Sequence, residues 1–223
     1  MPATSHSHMG DRQARALQLL RSAGILPIVT VDSVDQARAV AEALQRGGLS
    51  SIELTLRTDA ALPALSVLKR EYPDLTVGAG TVLTPDHLRA AEQAGADFIV
   101  TPGASRSMLA ALADSPLPVV PGAATPSEIL TLAGHGFQLA KLFPAAAVGG
   151  IGMLKALHGP LSGFMFCPTG GIGEADAAEY LAQPNVACIG GSWMVPRGWL
   201  QSGCFDQVEA SAARARALVV NRG

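Results

Sequence analysis

At 223 residues, 48% hydrophobic and 15% charged, the chain carries the apolar material for one sizeable core and reads as one domain. A formal net charge of −2 gives no basic stripe of the kind that grips nucleic acid or an anionic membrane, so a small-molecule partner is expected instead. The three cysteines, Cys167, Cys188 and Cys204, have neither the even count of a disulfide scaffold nor the CxxC spacing of a zinc site, and read as reduced thiols of a cytoplasmic protein.

The opening text MPATSHSHMG has no apolar signal core, and no run approaches the length of a membrane-spanning helix. Residues 1–10 are expected as a disordered arm with solvated histidines, ahead of a domain over 11–223. An amphipathic helix over 11–23, carrying Leu17, Leu19 and Leu20, stops at Gly24. The run 25–31 is apolar and β-branched, with Pro27 near a strand start. Asp32 and Ser33 then offer capping oxygens to a helix over 34–45, which Gly47 and Gly48 close. The same unit recurs. Strand-like runs fall at 51–56, 76–82, 98–102, 118–122, 137–143, 164–169 and 186–191, each followed by helical text. Some helices open on caps, as at Thr84-Pro85-Asp86 and Thr125-Pro126-Ser127-Glu128. This alternation demands a parallel sheet, and eight units predict an α/β fold, a closed (β/α)8 TIM barrel, with one extra helix in front. A doubly wound open sheet would show GxGxxG after its first strand, where Val31-Asp32-Ser33 stands instead. The text from Trp193 to Gly203 reads as loop, and a final helix is expected over 205–220.

The stretch Gln138-Leu139-Ala140-Lys141-Leu142-Phe143-Pro144 sets one lysine inside text that otherwise reads as a buried strand. Burial of an ammonium is costly unless it is paired or loses its proton, and a neutral amine attacks carbonyls to form Schiff bases. The other lysines, Lys69 and Lys155, stand in amphipathic helix text with solvated heads. In a barrel, alternate strand residues face the lumen, and ligands bind at the C-terminal strand ends. Ile52, Leu54 and Leu56 form an apolar set for the helices, so Glu53, Thr55 and Arg57 face inward. Leu139, Lys141 and Phe143 share one parity, and if they too face inward, Lys141 can reach Glu53 across the lumen. Val77, Ala79 and Thr81 likewise share parity and bring the Thr81 hydroxyl to a strand end, as Cys167 and Thr169 do for Thr169. Phe143 and Pro102 end strands beside the lysine as an apolar wall, and desolvation favours a neutral amine. Core packing is an equally good reading for Pro102. A buried salt-bridge network of Glu53, Arg57 and Lys141 is the plainer alternative, but it gives Arg57 and Thr81 no reason to stand at strand tips.

Thr169-Gly170-Gly171-Ile172-Gly173 and Gly190-Gly191-Ser192 end the last two strands, the positions where these barrels hold phosphate on backbone N–H groups. Gly78-Ala79-Gly80 reads as close backbone packing near a ligand. His87, His135 and His158 lie in helix or turn text and read as surface or capping residues.

The segments SIELTLRT, VGAGTVLTP, IVTPGAS, PGAATPSE, LAKLFPAAAVGG, FCPTGGI and CIGGSWMVP resemble, in order and from about Leu17 to Val220, the KDPG/KHG class I aldolase family. The resemblance implies a (β/α)8 barrel, usually a homotrimer, that cleaves 2-keto-3-deoxy-6-phosphogluconate to pyruvate and D-glyceraldehyde 3-phosphate through a lysine imine, without a metal or other cofactor. It implies Lys141 as the Schiff-base lysine and Glu53 as the general acid and base. Arg57 and Thr81 would hold the pyruvate carboxylate, Phe143 and Pro102 would wall the pyruvyl group, and Thr169 would meet the substrate hydroxyls. Gly170, Gly171, Gly191 and Ser192 would take the phosphate end. One departure is Ala146, where many members carry an acidic residue. Cleavage of 4-hydroxy-2-oxoglutarate to pyruvate and glyoxylate is the alternative within lyases. The galactonate epimer is another, against which Thr169 tilts. A phosphate-binding barrel with Lys141 as a plain counter-ion is the reading from a different class.

Overall fold

Runs of branched and small apolar residues, bounded by turn residues and too short for helices, make the strands. In the computed structural model, which describes the backbone of residues 3–220 and the side chains of residues 9–220, these are β1 (Ile25–Val29), β2 (Ser51–Thr55), β3 (Thr76–Gly80), β4 (Phe98–Val100), β5 (Val119–Val120), β6 (Gly122–Ala123), β7 (Leu139–Leu142), β8 (Met165–Pro168) and β9 (Ile189–Gly191). The helices are α1 (Ala3–Ala23), α2 (Val34–Arg46), α3 (Ala61–Glu71), α4 (Pro85–Gln93), α5 (Arg106–Asp114), α6 (Pro126–Gly134), α7 (Gly150–His158), α8 (Glu174–Leu181), α9 (Arg197–Gln201) and α10 (Phe205–Val220), with a 3-10 turn over Ala146–Val148. The caps fall where the sequence places them. Ser33, Thr84 and Thr125 accept from the N–H groups of Gln36, His87 and Glu128, and Thr125 with Glu128 forms a reciprocal capping box.

All strand pairs are parallel, in a six-stranded sheet ordered β5-β4-β3-β2-β1-β9 and a three-stranded sheet ordered β6-β7-β8. The run expected as one strand over 118–122 is two pieces, β5 and β6. Pro121 separates them because it has no N–H for a ladder, while its carbonyl still accepts from Lys141 N at 2.9 Å. Isolated parallel bridges, Phe166 with Val186 and Thr169 with Gly190, tie β8 to the text around β9. The sheet therefore curls.

Side-chain alternation along the curled strands gives two apolar layers. Ile25, Val29, Ile52, Leu54, Val77 and Ala79 belong to the larger cluster, which includes buried residues of the helices. Leu26, Phe98, Val100, Val120, Leu139 and Cys167 form an inner cluster, against which α1 lays Ala16, Leu20 and Ala23. Gln13 fixes that helix: its Nε2 donates to Val119 O and its Oε1 accepts from Gln138 N, both at 3.1 Å.

Helix α1 starts at Ala3 rather than at residue 11, so backbone expected as a disordered arm is helical from residue 3. Met9 accounts for the extension, since it is buried and packs beside Gly136. The two histidines of that text lie outside the described side chains. The stretch 193–203, expected as loop, contains the short helix α9, whereas α10 spans the expected 205–220. Among the described residues, no helix is long and apolar enough to cross a membrane.

Candidate active site

The outward set Ile52 and Leu54 on β2 leaves Glu53 pointing inward, 2% exposed. On β7, Lys141 stands in register between Gly122 and Cys167 and is 6% exposed. Its Nζ donates to Oε1 of Glu53 at 3.1 Å and lies 5.5 Å from the centroid of the Phe143 ring. Each buried charge is compensated by the other, the condition under which such a pair is tolerated. Gly80 on β3 makes the room: a β-carbon there would lie 2.2 Å from Oε1 of Glu53.

A cavity of about 460 Å³ opens at the C-terminal strand ends, with Glu53, Lys141, Phe143 and Thr169 in its wall and Arg57 lining it as an exposed residue. Gly170, Gly171, Gly191 and Ser192 supply a further wall, largely backbone. Gly170 and Gly171 have φ of +99° and +76°, a left-handed pair that side-chain-bearing residues avoid and that suits a loop bringing main chain to an anion. Thr169 is buried, and its Oγ1 donates to Cys167 O at 3.3 Å.

Two of the expected residues stand apart from the cavity wall. Thr81 has φ +58°, in the left-handed region that a β-branched residue occupies only under strain. The backbone turn departs from the simple alternation expected of Val77, Ala79 and Thr81: the first two pack in the outer layer, while the Thr81 hydroxyl accepts from Arg57 Nε at 3.3 Å. Thr81 thus joins the site through Arg57. Pro102 does not line the cavity, and its backbone packs against Gly122.

An amine held on a carboxylate beside an aromatic ring, in a cavity that a guanidinium also lines, can attack a carbonyl, exchange protons and anchor an anion. The family model for KDPG and KHG aldolase matches residues 17–211. The chain belongs to this family. It is 45% identical to the 2-dehydro-3-deoxy-phosphogluconate aldolase of Pseudomonas aeruginosa, over 93% of this chain and 94% of that one. It is 39% identical to the KHG/KDPG aldolase of Escherichia coli, over 93% and 97% of the two chains. Among solved structures, the KDPG aldolase of Legionella pneumophila with pyruvate captured as a covalent carbinolamine matches with TM-score 0.87 at 40% identity, covering 89% of this chain and 96% of that one.

In this member of the KDPG and KHG aldolase family, Ala146 packs on the glycine turn. Its N–H donates to Gly170 O at 3.0 Å, and its Cβ lies 2.6 Å from where a β-carbon on Gly171 would sit. Wall residues that the sequence did not flag include Ile28, Thr30, Thr58 and Arg197. Ile28 and Thr30 share the inward parity of Leu26, so strand alternation applied to β1 could have found them. Thr30 bonds Thr55, Oγ1 to Oγ1, at 2.7 Å, and the Thr58 hydroxyl donates to Val31 O at 2.6 Å. Arg197 sits in text with no periodicity, and nothing in the sequence pointed to it. His87 and His158 lie on α4 and α7 and His135 caps α6, all outside the cavity wall. Among the described residues, no group of three or more His, Cys, Asp or Glu side chains is placed to hold a metal ion.

Proposed function

We propose that the chain is a lyase, a class I aldolase that cleaves 2-keto-3-deoxy-6-phosphogluconate to pyruvate and D-glyceraldehyde 3-phosphate through an imine on Lys141, without a metal. The observation that carries this reading is the buried Lys141 amine 3.1 Å from the Glu53 carboxylate in the wall of a cavity that Arg57 also lines. Family membership and the carbinolamine captured in the Legionella pneumophila relative support it.

Arg57, steadied by Thr81, binds the carboxylate of the keto acid as a planar fork. Lys141 passes a proton to Glu53 and attacks the C2 ketone. Glu53 returns the proton to the carbinolamine hydroxyl, which leaves as water, and a protonated imine remains. Glu53, now a carboxylate again, takes the C4 hydroxyl proton as the C3–C4 bond breaks, and the electron pair of that bond moves into an enamine rather than an unstabilised carbanion. The aldehyde phosphate departs. Protonation at C3 and return of one water release pyruvate and the amine. Thr169 contacts the hydroxyls between the two halves, and Gly170, Gly171, Gly191 and Ser192 receive the phosphate. Phe143 keeps the pyruvyl group dry.

The same reading takes the two sheets as one closed (β/α)8 barrel, with β5 and β6 counted as a single strand. The Lys141 N to Pro121 O bond and the bridges between β8 and β9 support closure. We infer a homotrimer, supported by the resemblance and by Leu83, 53% exposed just beyond Thr81. Cys167 and Cys204 are thiols, which supports a cytoplasmic setting. The name of the Escherichia coli relative favours 4-hydroxy-2-oxoglutarate as a second substrate, which the same lysine would cleave.

Borohydride reduction in the presence of pyruvate tests the chemistry. A stable adduct on Lys141 with loss of activity is expected, whereas unchanged mass would overturn the imine.

A further inference from the structure

We propose that Arg197 is a specificity-determining residue of this site, one that exchanges Asp32 for the phosphate monoester of the substrate. The inference rests on the aldolase reading above and adds to it a residue outside the motifs of the resemblance.

Among the described residues, three cationic side chains line the cavity: Lys141, Arg57 and Arg197. Lys141 is committed to Glu53 and Arg57 to Thr81. Arg197 lies on the stretch that follows Ser192 and shares the cavity wall with Gly171, Gly191 and Ser192. Its Nη2 donates to Asp32 Oδ1 at 3.1 Å and Oδ2 at 3.4 Å, with side-chain exposures of 64% and 42%. An exposed pair of this kind contributes little and exchanges readily. A phosphate dianion offers the same fork more charge and more acceptor oxygens than a carboxylate.

The backbone around the pair is held independently of it. The Gln36 side chain accepts from Asp32 N through Oε1 at 2.8 Å and donates through Nε2 to Leu200 O at 3.1 Å. One amide therefore ties the turn after β1 to α9, so the Arg197 side chain can change partner while its main chain stays at the cavity. Asp32 holds the guanidinium when no anion is bound, and an incoming dianion displaces it. A keto acid without phosphate has nothing to offer this arginine.

The test is steady-state cleavage of the 6-phosphorylated acid and of its non-phosphorylated parent by the wild type and by Arg197→Gln, Arg197→Lys and Asp32→Asn. In Arg197→Gln, KM for the phosphorylated acid should rise about tenfold relative to KM for the parent acid, the scale of one lost charge-assisted contact. Arg197→Lys should recover part of that ratio, and Asp32→Asn should move it the opposite way. Equal changes on both substrates, or none on either, would overturn the role of Arg197. An unchanged or raised ratio in Asp32→Asn would overturn the exchange. Trapping of pyruvate on Lys141 by borohydride separates the two levels. Its failure in the wild type sinks the aldolase reading and this one with it, whereas trapping in every variant with an unmoved KM ratio sinks the Arg197 proposal alone.

Discussion

A β-carbon on Gly80 would lie 2.2 Å from Oε1 of Glu53, so the missing side chain on β3 is the space that the carboxylate of β2 occupies. Gly80→Ala should push Glu53 away from Lys141. A displacement of this order at reacting groups lowers turnover by about 100-fold, and overpacking costs about 1–3 kcal/mol. Turnover and urea unfolding of the variant check both. Full turnover would show that Glu53 is not needed where it stands.

Glu53→Gln separates chemistry from bracing. Loss of a positioned acid and base should lower kcat by about 10²- to 10⁴-fold, and leaving Lys141 buried without its counter-charge costs about 3–5 kcal/mol. The double variant with Lys141→Met should regain stability while staying inactive. Denaturant unfolding beside the cleavage assay reads the two effects apart. A brace would lose stability and keep turnover.

Asp97 binds β3 from outside the site. Its Oδ2 accepts from Val77 N and from Lys69 Nζ, each at 2.7 Å. Val77 is fully buried, so Asp97→Ala leaves its N–H unpaired, at a cost of about 1–3 kcal/mol. Urea midpoints should fall while KM for the cleaved acid stays put.

The capping box of α6 predicts a pH effect. The Ala124 N–H, and then the hydroxyl and N–H of Thr125, hold the Glu128 carboxyl below its usual range of 4.5 against the opposing pull of burial. A lowered folded value means that the stability it adds is fully present above the ordinary carboxylate range and is lost as pH falls through the lowered value. At its exposed position, Glu128→Gln should cost the lower end of about 0.5–2 kcal/mol at neutral pH. Thermal unfolding should show the gap from wild type narrowing in acid.

Strand alternation made much of this site legible. The period of two on β2 and β7 places Glu53 and Lys141 on facing walls because both strands are regular and apolar around them. The same rule fails at Thr81, where a positive φ turns the side chain, and at Pro121, where a missing N–H splits a strand. Arg197 was invisible because neither a period nor a motif marks a residue whose place depends on Gln36 reaching across from another unit. The early start of α1 was hidden for a related reason: Met9 is a poor signal until Gly136, far along the chain, is brought against it.

Helix α1 seals the inner cluster at the strand starts, with Leu20 wholly buried there. The consequence is one of traffic. On the proposed imine at Lys141, substrate comes and goes by the strand-end mouth, and the half bound to the lysine would sit deeper than the half that is cut away. Departure is therefore ordered, with the phosphorylated aldehyde first and the keto acid last. In the condensing direction the queue reverses, and the aldehyde can dock only on an enzyme already carrying its enamine.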